Sequence, residues 1–563
     1  MAFDPDQSSP LLESEQSLEG SIDGNVDRNI TLPKDQLRKI LAALWIGSFL
    51  SALDSTVVAT TMVGIASEFD DVKNVSWIAT SYLLTNTVFQ PLYGKTSDIV
   101  GRKLCLLFAQ FWFTLGCLIC CFSNSVTQFL IARAIAGIGG GGVSALSSII
   151  VSDVVSLEDR GIYQGYANVI YGVAQALGGP IGGYLFQTIG WRWAFGIQVP
   201  FMLFCGVLAF NYVNIHAEHI PKGNKRFTRE NLSRLDFAGS LTLVISTSAL
   251  ILLFSSDITT SGLYKSFVSF IAVIGFSAFI YVENYVAKEQ IIPSNLIKGI
   301  LGITAFVAAF GSMALYNSIF LTPQYLQVVE NITPVSSGTF IMFQVLAVSF
   351  GSLVAGMYLR KSNDNEDNQS NDSSFTNEES KNEFIKARAI KISFFSILLI
   401  FVGMTLIDSQ VYVTEPYSLG LVWRIILVIG LSFIGFGYGI FLVSLLIIVV
   451  ATVGRSGQAA ATGMNYLFRS TGNVLGVSIS LSTYNNKVIG SLKSYLLDKP
   501  NGSEIFEKLL ENVNYLKDIQ DASLKETLLN IYRKSFLVGF IPGVSFSFIA
   551  LALTTYLITI RKK

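Results

Sequence analysis

The sequence predicts an all-α membrane protein of about fourteen transmembrane helices, with two six-helix bundles and two further helices inserted between them. Three observations lead there. Stretches of twenty or more residues nearly devoid of charge recur along the 563-residue chain, each long enough to cross a bilayer. Hydrophobic residues make up 51% of the chain and charged residues 14%, and the charges crowd into tails and connecting loops. Finally, the run Gly172 to Gly183, GVAQALGGPIGG, lies inside one of the apolar stretches. Small residues let backbones approach closely in lipid and Pro180 permits a bend, properties that suit a transporter helix.

In chain order, residues 1–36 are polar and acidic and lack the basic start and apolar core of a signal peptide, so they read as a disordered cytoplasmic tail. Apolar spans at 40–65, 76–96, 104–123, 127–152, 161–186 and 192–213 build an N-terminal bundle over 37–213. A basic linker and spans 237–256 and 265–285 occupy the inserted segment 214–296. Spans 298–324, 336–358, 388–408, 421–451, 458–484 and 535–559 build a C-terminal bundle over 297–560. Within it, the low-complexity stretch 361–383 is expected to be a disordered cytoplasmic loop, and 486–534 a non-cytoplasmic loop. Arg102, Lys103, Arg160, the basic residues between Lys222 and Arg234, Arg360, Lys361 and Arg455 fall in alternate connections. Those connections are therefore cytoplasmic, as are both termini. Asn331 and Asn501 head sequons on the other side and are the candidate glycosylation sites.

A net charge of +0 argues against a nucleic-acid partner. All five cysteines fall in apolar spans, so Cys117 and Cys120, although spaced CxxC, read as packing. His216, Glu218 and His219 sit in a cytoplasmic loop and read as solvated, leaving no metal site. No nucleophile and base come together in the loops, so the chain is not expected to be an enzyme.

The connection after the second span reads GKTSDIVGRK, in which Gly94 and Gly101 permit a tight turn. Asp98 can pair with Arg102, beside Lys103, or meet the end of a neighbouring helix, and such an ion pair holds one conformation until a rearrangement breaks it. A shorter echo at Gly351 to Lys361 suggests an internal repeat. In the fourth span, Gly137, Gly139 and Gly142 match a dinucleotide fingerprint by letters, but no strand precedes them. A helical period instead sets Arg133, Gly137, Gly140, Ser144 and Ser148 on one face. Arg133 at membrane depth costs roughly 2.5 to 3.5 kcal/mol and persists chiefly for pairing or function. Asp54, on a face with Gly47, Ser51, Val58 and Thr61, is expected to look into the bundle, where it can exchange a proton or attract a cation. Asn86, Gln90, Gln175 and Asn317 are expected to line a wet central cavity. Arg469 shares a helical face with Asn465, Gly472 and Gly476.

These motifs together resemble the fourteen-span drug:proton antiporters of the major facilitator superfamily. The likeness rests on Leu53 to Val58, GKTSDIVGRK, Arg133 to Gly142, GVAQALGGPIGG, Trp191 to Phe195 leading to Pro200, and Arg469 to Gly472, and it covers nearly all of 40–560. Two positions depart from the family pattern: Gln198 replaces an Asn before Pro200, and Asn331 replaces a Gly before Thr333 and Pro334. Gln198 resembles the variant of fungal vacuolar basic amino acid transporters. The resemblance implies a major facilitator fold and a monomer that exchanges protons for cationic amino acids by alternating access. It needs no cofactor beyond a proton gradient and sits in the vacuolar membrane. Asp54 would carry the proton, with Arg133 beside it. Gly172, Gly178, Gly179, Pro180, Gly182 and Gly183 would form the flexible partner face in rocking. A plasma-membrane exporter of xenobiotics and a nutrient sensor signalling through 361–383 are the alternatives.

Overall fold

The computed structural model describes residues 33–71, 75–155, 160–213, 236–255, 262–287, 299–369, 378–414, 420–497, 499 and 502–562. Among the described residues there is no strand. Lipid offers no partner for a backbone N–H or C=O, and a helix satisfies each of them within the segment itself. The N-terminal half comprises α1 (Lys34–Glu68), α2 (Val75–Val100), α3 (Arg102–Cys121), α4 (Val126–Val154), α5 (Arg160–Thr188), the short α6 (Trp191–Gly196) and α7 (Gln198–Tyr212). Next come α8 (Phe237–Ser255) and α9 (Gly262–Tyr285). The C-terminal half comprises α10 (Gly299–Val328), α11 (Pro334–Gln369), α12 (Glu378–Val413), α13 (Leu421–Leu496), α14 (Gly502–Glu511), α15 (Tyr515–Asp518) and α16 (Ala522–Lys562). Among the described residues, 11 helices are long and apolar enough to cross a membrane, and Ala238–Phe254 is a shorter apolar helix.

In the first bundle α4 packs between α2 and α3, and α1 lies against α5. In the second, α13 packs against α10, α11 and α12, while α16 covers α10 and α12. The pair α8 and α9 touches the rest chiefly through α8, against α2 and α13. The bundles meet along α5 with α11 and along α2 with α13.

Helix α13 joins the two spans expected at 421–451 and 458–484 into one hydrogen-bonded run of 76 residues. It nevertheless doubles back. Phe441 packs on Gly311 and Gly472 on Ala309, both within one turn of α10. A straight helix would hold those two α13 residues roughly 46 Å apart, at about 1.5 Å per residue. The chain therefore reverses between them, giving two antiparallel limbs.

Two expected loops are shorter than the sequence suggests. Helices α11 and α12 run on to Gln369 and from Glu378, into the stretch expected to be disordered, because 361–369 and 378–383 hold no Gly or Pro to stop a helix already nucleated in the bilayer. On the opposite side, α13 continues to Leu496 and α16 begins at Ala522, so most of 486–534 is helical. Val488, Leu492, Leu496, Leu528 and Tyr532 are buried there, and that apolar face holds the helices together beyond the lipid. The tail before Pro33, Asn501 and the histidine loop lie outside the described residues.

Candidate functional site

Asp54 projects from the middle of α1, one turn after Ser51, and Arg133 from α4, one turn before Gly137. The period of each helix aims both side chains into the first bundle. Arg133 Nη1 donates to Asp54 Oδ2 at 2.6 Å, and the two side chains are 1% and 0% exposed. Gln198, at the start of α7, donates through Nε2 to the other carboxylate oxygen at 3.4 Å and to the Ala194 carbonyl at 2.9 Å. The Arg133 guanidinium lies 4.3 Å from the ring centre of Tyr82 and 5.6 Å from that of Phe195. Tyr82 Oη lies 3.2 Å from Ser51 Oγ, which itself donates to the Gly140 carbonyl at 3.4 Å. Buried Cys117 and Cys120, neither in a disulfide, face the same pair.

This arrangement corrects one expectation. Asp54 does look into the bundle, but its side chain is fully buried there, and Arg133 already occupies the place a cation would take. A small cavity of about 40 Å³ lies elsewhere, lined by Val63, Val75, Gln324, Tyr484 and Tyr532 among others, and none of the candidate residues borders it. Chemically, one ion pair and one long amide contact tie the Asp54 carboxylate to α4 and α7.

The other predicted residues separate. Gln90 Nε2 donates to Asn86 Oδ1 at 3.0 Å, and Ser470 Oγ on α13 donates to Gln90 Oε1 at 2.8 Å, so this pair bridges the bundles. Gln175 hydrogen-bonds Tyr316 across the α5 to α10 gap. Asn317 does not belong with them. It is fully buried in the second bundle, donating to Ser480 Oγ at 2.6 Å and to the Gly539 carbonyl at 3.0 Å, and so ties α10 to α13 and α16. Its helical face points away from the bundle interface, a direction that spacing along one span does not reveal. Arg469 lies with its guanidinium 4.4 Å from the ring centre of Tyr466, within electrostatic reach of Tyr171, Tyr316 and Tyr438.

At the turn between α2 and α3, Gly101 has φ 107°, a conformation other residues avoid, and caps the start of α3. Arg102 has a partner distant in sequence as well as one nearby. Its Nε donates to Asp153 Oδ2 at 2.8 Å and its Nη1 to Ser97 Oγ at 2.5 Å, pinning the turn to the end of α4; the Asp98 side chain lies outside the described set. Lys103 sits 4.7 Å from the Phe210 ring centre. Asp153 was invisible as a partner because it is distant in sequence.

The glycine run of α5 divides between two neighbours. Gly178 and Gly182 take Thr56 and Val57 of α1, while Gly172, Gly179 and Gly183 take Ser349, Gly338 and Pro334 to Val335 of α11. A Cβ on Gly179 would lie 3.0 Å from Gly338 Cα, and one on Gly183 would lie 2.6 Å from Val335 N. Backbone therefore meets backbone where the bundles touch, close by Pro180. Asn331 takes the left-handed φ of 52° that its turn requires, as expected of an Asn replacing a Gly. At the same end of the molecule, Glu68 accepts from Trp191 Nε1 at 2.6 Å and from Arg192 Nη1 at 2.7 Å, which accounts for an arginine on the side poor in basic residues.

Sequence reasoning missed Tyr82, Tyr171, Tyr316 and Tyr438. A signal was present: tyrosines ordinarily gather at the headgroup level, and these lie well inside apolar spans.

The chain is similar to known transporters over most of its length. It is 40% identical over 537 residues to the vacuolar basic amino acid transporter 1 of Saccharomyces cerevisiae, covering 94% of this chain and 93% of that protein. It is 34% identical to the multidrug resistance protein fnx1 of Schizosaccharomyces pombe, covering 86% and 87%. Among solved structures, a bacterial homologue of the human lysosomal transporter Spinster, inward-facing and unoccupied, matches with a TM-score of 0.55 at 15% identity, over 94% of this chain and 98% of that one, a likeness of fold. The family model of the Major Facilitator Superfamily matches residues 44–477, and the chain belongs to that superfamily of membrane transporters.

Proposed function

We propose that this protein is a proton-coupled antiporter that moves basic amino acids from the cytosol into the vacuole by alternating access. The observation that carries the proton-coupling part is the sealed Asp54–Arg133 pair, an acid and a base at 2.6 Å within the helices that must rock. The similarity to a vacuolar basic amino acid transporter supports the cargo and the membrane.

A proton arriving from the acidic side neutralises Asp54 and cancels the attraction that holds Arg133. The guanidinium then shifts along the Tyr82 ring, and Ser51 and Gly140, hydrogen-bonded near it, move with the α1 to α4 seam. Loss of the proton to the cytosol re-forms the pair. Asp54 thus acts through Arg133 and not by holding the substrate. Each pH unit supplies about 1.4 kcal/mol, so two units support about hundredfold accumulation for one proton per electroneutral cycle.

The test uses vacuolar membrane vesicles from yeast expressing the protein. ATP-dependent lysine uptake should be lost in Asp54→Asn, and uptake that persists rejects the mechanism. Similarity to a multidrug resistance protein favours a second reading, export of xenobiotic cations at the plasma membrane. Plasma-membrane residence of the tagged protein, with drug sensitivity and unchanged vacuolar lysine on deletion, would select it.

A further inference from the structure

Two arginines lie deep among the helices, and their surroundings differ. Arg133 has its carboxylate. Arg469 has none among the described residues; what surrounds it is aromatic, with the Tyr466 ring centre 4.4 Å away and Tyr171, Tyr316 and Tyr438 within electrostatic reach. Those side chains come from α5 of one bundle and from α10 and α13 of the other, so the group sits at the contact between bundles, level with Gly472 on Ala309. Tyr438 Oη is 2.9 Å from Ser312 Oγ, and Tyr316 is held by Gln175. Tyr171 is 36% exposed, whereas Tyr316 and Tyr438 are 7% and 5% exposed.

A cation at this depth with ring faces but no counter-ion is costly, and an arriving anion relieves that cost. Among the described residues two buried acceptors here have no hydrogen-bond partner: Asn473 Oδ1, one turn beyond Arg469, and Ser349 Oγ, packed at Gly172, the residue after Tyr171. A guanidinium with no carboxylate partner among the described residues, tyrosine faces and orphan oxygens are the complement of one molecule carrying both a carboxylate and ammonium groups.

We propose that Arg469 receives the α-carboxylate of the transported amino acid, while Tyr171, Tyr316, Tyr438, Asn473 and Ser349 receive its ammonium groups. The substrate site is thus shared between the bundles and separate from the Asp54 proton site. Tyr82, stacked on Arg133 and within electrostatic reach of Tyr171, is the side chain that connects them. This inference rests on the amino-acid reading above.

Thermal stabilisation of the purified full-length protein by lysine, lysinamide and cadaverine tests it, the last two lacking the free carboxylate. Lysine should stabilise at concentrations at least about tenfold below either analogue, as loss of a charge-assisted contact implies. Arg469→Gln should raise the lysine requirement to that of cadaverine and leave cadaverine unchanged, with Arg469→Lys between. Equal action of lysine and cadaverine on the unaltered protein overturns the carboxylate site while leaving a carrier of organic cations. Stabilisation by a lipophilic drug cation, and by none of the three probes, overturns both this site and the amino-acid reading.

Discussion

At the residue scale, what distinguishes Asp54 is its partner. Two ionised groups removed from water are tolerated as a pair, and removing one partner strands the other at a cost of roughly 3 to 5 kcal/mol. Arg133→Gln should therefore lower the thermal midpoint of the purified protein markedly and abolish lysine uptake. Arg133→Gln combined with Asp54→Asn should recover much of the stability but none of the uptake, because two neutral amides pack without a proton to exchange. Additive destabilisation in the double variant would mean that the two side chains are not coupled. Asp54 and Arg133 were legible in the sequence as charges inside apolar spans. Their 2.6 Å contact was not, since 79 residues separate them.

At the element scale, α5 shows how composition becomes mechanics. Its glycines are spaced so that one set meets α1 and the other meets α11, and the second set brings the two bundles into backbone contact. Gly183→Val should force α5 and α11 apart, since even the first added carbon would lie 2.6 Å from Val335 N. Transport should fall by at least about tenfold with normal membrane expression. On α11, Gly356 meets nothing within 4 Å of an added carbon, so Gly356→Val should transport normally. Equal activity of the two variants would refute the tight seam. The run was recognisable as a packing face from its letters, but which glycine faces which helix follows from the rotation of α5. The Arg102 contact with Asp153 was hidden for the same reason, whereas Gly101 was legible because a reversal between two helices needs a residue that accepts positive φ.

At the scale of the whole molecule, alternating access requires the bundles to part where they now touch. Thr80 Oγ1 of α2 and Ser478 Oγ of α13 lie 3.4 Å apart across the interface, and Gln327 Nε2 donates to the Thr60 carbonyl at 3.1 Å in the same region. With the native cysteines replaced, Thr80→Cys with Ser478→Cys should cross-link on mild oxidation. Transport should stop with the bridge and return with reductant. Undiminished uptake by the cross-linked protein would show that these ends stay together throughout the cycle. The bridge acts 398 residues apart in the chain, so it reports on rigid-body motion and not on a local loop.

By itself the sequence determined the all-α membrane class, the places of the apolar spans, the glycine-rich faces and the candidacy of Asp54, Arg133 and Arg469. Those properties are local: span length, helical period and the cost of charge in lipid are settled within some twenty residues. Only the tertiary structure decided that α13 folds back on itself, that Arg133 closes off Asp54, that Asn317 is a tie within the second bundle, and that four tyrosines gather around Arg469. Each of these depends on how one helix is rotated and set in depth against another. In a bilayer that choice is made by close packing and side-chain hydrogen bonds, with no hydrophobic pattern to record it along the chain.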